Sequence, residues 1–240
     1  MNPLTVLPRL CALILSVAIC FLAFGQAQVA TTPARIELAQ LGKQLQVGDV
    51  VFIRIPHAPF TKVADATSSW TNHVGIVAEV SAQKVVVAES RVPVSGMTQF
   101  ADFLARSELG RVAVLRLHTP LDARQQAKLK AAVAARSGIL YDTGFDLNSK
   151  RQFCSRYVRE VMQEATGVAL GEVEDFATLL KNNPQADQRF WRAWYFGNIP
   201  WQRLTVTPAS LLKDGRMHAI YDGVVFPLPD IDSSKEGVAK

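Results

Sequence analysis

One cysteine late in the chain, Cys154, lies in the run Arg151-Gln152-Phe153-Cys154-Ser155-Arg156-Tyr157-Val158. From here Phe153, Cys154, Tyr157, Val158, Val161, Met162 and Ala165 recur at helical spacing, with polar residues on the opposite stripe. A thiol in the first turn of a helix feels the positive end of the helix dipole, which favours the thiolate. Arg151 and Arg156 add positive charge on either side. The chemistry open to such a group is attack on a carbonyl carbon, with an acyl group held on sulfur. A free cysteine is equally at home as a small buried core residue, so this helix alone leaves both readings open.

A thiol nucleophile needs a base, and the base needs an orienting group. The chain has four histidines. His57 falls in a proline-flanked loop, His118 ends a strand before Thr119-Pro120, and His218 sits in a late strand. His73 differs, because it opens a strongly apolar strand and is followed closely by Gly75. Glu89 ends the apolar run 85–88, where a carboxylate is costly unless paired or exposed. If residues 81–83 form the turn, Gly75 faces Glu89 across a hairpin and His73 lies diagonal to it on the same face. A hydrogen bond between them would fix the imidazole tautomer. The alternative is a Glu89 that ends an edge strand in water. Cys, His and Glu also bind metals, but no pair here has local ligand spacing, so neither a metal nor any other cofactor is expected.

Positioning these groups requires strands and helices in a particular order. Strands are predicted over 50–54, 74–80, 84–89 and 112–117, with a last one at 217–225. Helices are predicted over 98–108, over 123–136 with an Asp122–Gln125 capping box, from Cys154 to a stop at Gly167, over 175–181, and from Thr207-Pro208. Residues 34–41 read as helical, and 55–69 as a loop because of Pro56, Pro59 and a Thr-Ser-Ser cluster. The aromatic stretch 189–203 reads as packing, with a wall for sugar or acyl chains as its other use. Strands cluster early and helices late, which predicts an α+β domain with an antiparallel sheet packed by helices. The boundaries expected are a lead-in at 28–46, one domain at 47–228 and a disordered tail at 229–240.

The first 27 residues read as a secretory signal peptide: Arg9, an apolar run over 10–24, then Gly25-Gln26-Ala27. The run is short of the roughly 20 residues of a membrane span, although an uncleaved anchor is the alternative. Ile19 before Cys20 is too large for a lipobox. Cleavage removes Cys11 and Cys20 and leaves Cys154 without an internal disulfide partner, which adds weight to a reactive thiol. The net charge is +5, and losing Arg9 alone takes it to +4. That mild charge, with no basic run, argues against nucleic acid as a partner. The expected location is the periplasm or cell envelope, and the expected state a monomer that meets a membrane only through an uncleaved signal.

Several short motifs, taken in order, resemble a known family. They are Gly48-Asp49-Val50-Val51-Phe52, Asn72-His73-Val74-Gly75-Ile76-Val77, Ala88-Glu89-Ser90, Tyr141-Asp142-Thr143-Gly144-Phe145 and Phe153-Cys154-Ser155. This set resembles the YiiX/YebB-type permuted branch of the NlpC/P60 papain-like superfamily, most closely its YebB-type members. The resemblance extends to Thr207-Pro208-Ala209-Ser210-Leu211. It implies a permuted papain-like fold and an amide-cleaving thiol enzyme, with Cys154 as nucleophile, His73 as base and Glu89 as the orienting group. It also implies an oxyanion role for Tyr141, whose other reading is a loop aromatic packed on Phe145. The implied substrate is a peptide of the cell wall, with peptidoglycan as the candidate polymer. An acyl-amide hydrolase, ester hydrolase or acyltransferase is the second reading, and a non-catalytic envelope binding protein the third. Arg156 departs from the family pattern, where an acidic residue often follows the Cys-Ser pair, and this puts substrate fit in question.

Overall fold

The computed structural model describes residues 33–228. The predicted signal segment and the 229–240 tail lie outside those residues.

Among the described residues, nine strands and eight α-helices follow in the order β1 Ala34–Glu37, α1 Leu38–Gly42, β2 Val50–Ile53, α2 Phe60–Ala66, β3 His73–Val80, β4 Val85–Glu89, β5 Gly96–Gln99, α3 Phe100–Ala105, β6 Arg111–Leu117, α4 Ala123–Ala135, α5 Cys154–Thr166, β7 Val173–Asp175, α6 Phe176–Asn182, α7 Gln188–Trp194, β8 Leu204–Val206, α8 Pro208–Leu212 and β9 Met217–Phe226. Seven strands form one sheet in the order β1-β9-β6-β2-β3-β4-β5, and β7 and β8 form a separate ribbon. Every neighbouring pair in the large sheet is antiparallel except β1 with β9.

Helices cover both faces of the sheet, and the strand sequences show it. All four residues of β2 are buried, so its run Val-Val-Phe-Ile has no polar alternation. Val50 and Phe52 pack with α4 and α5, while Val51 and Ile53 pack with Leu41 of α1 and Phe103 and Leu104 of α3. Helix α5 carries the predicted stripe inward: Tyr157, Val158, Val161 and Met162 are each at most 1% exposed. It ends on Gly167 in the left-handed conformation, φ 82°. The Asp122–Gln125 capping box forms at the start of α4.

Three expectations need correction, and one ribbon was not read at all. The helix predicted over 34–41 is a strand followed by a single helical turn, because Ala34–Glu37 pairs with β9, nearly 190 residues away in sequence. The loop predicted over 55–69 contains α2, whose buried Ala64 and Ala66 give it an inner face despite the flanking prolines. The helix predicted over 98–108 is only Phe100–Ala105, because Gly96–Gln99 adds to the edge of β4 as β5. The β7–β8 ribbon was not expected, since three-residue strands carry no readable period.

Candidate active site

Cys154 is the first residue of α5 and is 3% exposed. Phe153 before it is extended, and no side chain caps the helix, so the first-turn N–H groups remain uncapped beside the thiol. The approach to this turn is tied down on several sides. Asp142 N–H donates to Gln152 O at 2.7 Å, and Ser90 Oγ donates to the same carbonyl at 2.9 Å. Ser155 Oγ donates to Val206 O at 2.7 Å.

His73 is the first residue of β3 and is buried. Phe103 lies against its ring with centroids 5.6 Å apart, and Phe60 meets it edge-on at 6.1 Å. Nε2 is 2.6 Å from Glu89 Oε2. Nδ1 has no hydrogen-bond partner of standard geometry, and the Cys154 thiol is the neighbour left to it. The sulfur is close enough to act on the imidazole electrostatically, yet the contact falls short of a well-formed hydrogen bond, as is common in resting sites. Burial by itself lowers the imidazole pKa. Cys154 on one side and Glu89 on the other outweigh it, and the net shift is upward.

The route by which Glu89 reaches His73 differs from the one expected. The connection after β3 is a four-residue turn, since Val80 pairs with Val85. That extra residue alone would reverse the facing of the two strands. A bulge between Val77 and Glu79 inserts a compensating residue, and beyond it Ile76 faces Ala88. One step further puts Gly75 opposite Glu89, with His73 diagonal to it. Gly75 is required at that crossing, because a Cβ there would lie 2.4 Å from Val87 Cγ1.

Glu89 is fully buried and carries more partners than His73 alone. Its Oε1 accepts from Thr98 Oγ1 at 2.6 Å and from Arg106 Nη2 at 2.7 Å, and Arg91 Nε stands 3.9 Å away. Burial pushes its pKa up, but Arg106, His73 and Thr98 outweigh this and hold it at about 2. Thr98 and Arg106 were not read as site residues from sequence. Thr98 became visible only with β5, and Arg106 only with the end of α3 that delivers it.

Tyr141 is buried beside Cys154. Burial and the neighbouring sulfur push its phenol well above the ordinary value. The loop that follows is held by Asp142, which accepts from Gly144 N at 3.0 Å and Asp146 N at 2.8 Å. Arg203 Nη1 and Tyr195 Oη donate to Gly144 O from outside at 2.8 and 3.1 Å.

The other histidines lie elsewhere. His57, His118 and His218 are exposed, and the last two stack on each other with centroids 5.4 Å apart. Arg156 serves the local structure of the α5 entry. It pairs with Glu160 at 2.7 Å and donates to the carbonyls of Ser149 and Arg151 at 2.6 and 2.9 Å, which staples the preceding loop to α5. The aromatic stretch both packs and lines. Phe190, Trp191, Trp194 and Tyr195 cluster with Phe176, while Phe196 is fully exposed. Trp191 also walls a pocket that opens onto Cys154.

Residues 44–221 match the family of permuted papain-like amidase enzymes, YaeF/YiiX, C92 family. The uncharacterized protein YiiX of Escherichia coli (strain K12) is 29% identical over 168 residues, covering 70% of this chain and 82% of that protein. A crystal structure from Escherichia coli O157:H7, described as metalloprotein yiiX, superposes with a TM-score of 0.69 at 27% identity, over 75% of this chain and 99% of that one. Among the described residues here, no three His, Cys, Asp or Glu side chains converge as a metal site. The chain belongs to the permuted papain-like amidase family, and it is a cysteine amide hydrolase.

Proposed function

We propose that the chain is an exported thiol amidase of the cell envelope that cleaves an amide of a cell-wall peptide, with Cys154 as nucleophile, His73 as base and Glu89 as the group that orients His73. The observation that carries the site assignment is the buried His73, held by Glu89 through Nε2 and left with Cys154 at Nδ1. The ionised Glu89 accepts the Nε2 proton, which leaves the Nδ1 lone pair directed at the thiol. His73 takes the Cys154 proton and sulfur bonds to the carbonyl carbon. The Tyr141 hydroxyl and the Cys154 N–H donate to the oxyanion. The imidazolium then protonates the leaving nitrogen, the C–N bond breaks, and an acyl group remains on sulfur. Water, deprotonated by His73, releases the acid and restores the thiol.

Export rests on the first 27 residues, and the cell-wall peptide on the family resemblance. Incubation with purified peptidoglycan, read by mass spectrometry for new amine and carboxyl ends, tests the substrate. Release of no fragment would remove it. N-terminal sequencing of envelope-fraction protein tests export, with a mature start expected near Gln26 or Gln28. Met1 retained in the cytoplasm would refute it.

A further inference from the structure

We infer that the outer face of α7 and the loop after it, built around Phe196 and Arg192, docks the protein on a bilayer surface that carries anionic phospholipid. This goes beyond the thiol-amidase reading and does not depend on which amide is cut. It is also separate from the apolar run at 10–24. No helix among the described residues is long and apolar enough to cross a membrane, so the contact is interfacial.

Phe196 is fully exposed. Its backbone is left-handed, φ 52°, a conformation that a bulky residue rarely adopts. The turn is fixed from behind: Phe196 N–H donates to Ala193 O at 3.1 Å, and Gly197 N–H donates to Arg192 O at 2.7 Å. The ring is therefore held out from the fold by a bonded turn. Trp201, at the far end of the same loop, is 42% exposed.

Positive charge surrounds the ring. Along α7 the exposed Arg189, Arg192 and Ala193 share one face. Ala193 and Phe196 then line one open hollow with Pro200 and Arg203. Trp191 faces the other way, into the pocket beside Cys154. The run 188–203 holds three arginines and no Asp or Glu. Asp187, just before it, is taken by Lys62 at 2.9 Å. Aromatic rings with arginines beside them are what an interfacial segment uses, the rings below the headgroups and the guanidinium groups on the phosphates.

The same face is poorly made for a glycan. A sugar needs hydrogen-bonding groups beside an aromatic ring, and here the larger side chains spend theirs on the fold. Trp194 Nε1 donates to Thr143 O at 3.0 Å, and Tyr195 Oη and Arg203 Nη1 both donate to Gly144 O. Phe190 stacks on Trp194 with centroids 5.7 Å apart. What the loop offers outward is mostly hydrocarbon and charge. A docked α7 would set the pocket beside Cys154 one helix diameter, ~10 Å, from the headgroups.

Amide hydrogen exchange of the full chain, with and without vesicles of mixed phosphatidylethanolamine and phosphatidylglycerol, tests this. The readout is local, because the apolar run at 10–24 can hold the chain on vesicles by itself. Exchange over 195–203 should slow about tenfold or more on these vesicles and far less on pure phosphatidylcholine. Phe196→Ser should cut that protection about tenfold, and Arg192→Gln about fivefold. Alkylation of Cys154 by iodoacetamide should be unchanged in both, since neither side chain belongs to the site. Failure of docking and failure of the amidase are thus separate results. If Phe196→Ser does not fold, Arg192→Gln and the lipid comparison decide. No protection over 195–203 on the anionic vesicles, or equal protection on both kinds, would overturn the inference. So would protection that appears without lipid as the protein concentration rises, which gives the face to a second copy. Stronger protection by peptidoglycan sacculi than by vesicles would also overturn it.

Discussion

Arg106 donates to Glu89 on the carboxylate oxygen that His73 does not use, at 2.7 Å. The carboxylate is thereby neutralised from one side while it orients the imidazole from the other. The same guanidinium lies 5.0 Å over the ring of Phe103, which itself rests on His73. Arg106→Met removes the charge and keeps much of the contact. We expect a loss of stability of about 3 kcal/mol, the lower end for a broken buried pair because Arg106 is partly exposed. The acid limb of the activity profile should also move to higher pH, since Glu89 then protonates more readily. Urea unfolding and a kcat/KM profile check the two halves separately.

Glu89 also makes stability depend on pH in a definite direction. Its folded pKa, about 2, lies below the reference value of 4.5. The contribution is therefore complete above about 4.5 and lost as the pH falls through about 2, on the order of 3 kcal/mol. Glu89→Gln cannot titrate there. Unfolding free energy measured at pH 7, 4.5, 3.5 and 2.5 should fall more steeply for the parent than for the variant. Parallel slopes would show that Glu89 is not ionised against Arg106 and His73.

Reactivity of the thiol should follow the order of the site. His73→Ala should slow alkylation of Cys154 by iodoacetamide at pH 6, and should lower the acylation rate by about 10²- to 10⁴-fold, the usual contribution of a general base. Glu89→Gln should slow alkylation less, because Glu89 acts through His73. His118→Ala and His218→Ala, at an exposed stacked pair, should leave it unchanged. Mass spectrometry of the alkylated protein follows all four variants.

Tyr141→Phe keeps the buried ring and deletes the hydroxyl beside Cys154. Loss of one oxyanion donor should lower kcat about 10²-fold with little change in KM. A rise in KM alone would instead assign Tyr141 to substrate packing.

Much of this arrangement is readable from residue order where the signal is local. The α5 stripe with its Gly167 stop and the Asp122–Gln125 box depend on neighbours within four residues, and each forms as read. The His73–Glu89 pairing was reached through a turn one residue too short, and it survives because the Val77/Glu79 bulge restores the parity. Turn length and bulge are not separable in a sequence whose residues there, Ala78 to Lys84, carry no Gly or Pro to mark either. Thr98 and Arg106 were illegible for another reason. Gly-Met-Thr-Gln has little β pattern of its own and becomes a strand only by adding to β4. The end of α3 is then placed by tertiary packing rather than by a cap.

The last strand has a consequence for how the chain is made. β9 lies between β6 and β1, so β1, among the earliest residues to be synthesised, has no sheet neighbour until residues 217–226 exist. Strands β2 to β5 pair with their sequence neighbours and can assemble early, bringing His73 and Glu89 together before Cys154 has been translated. A nascent chain released short of β9 would carry a complete base pair of site residues on a sheet whose β6 edge stays open. Translation through residue 226 is thus a condition for closing the fold.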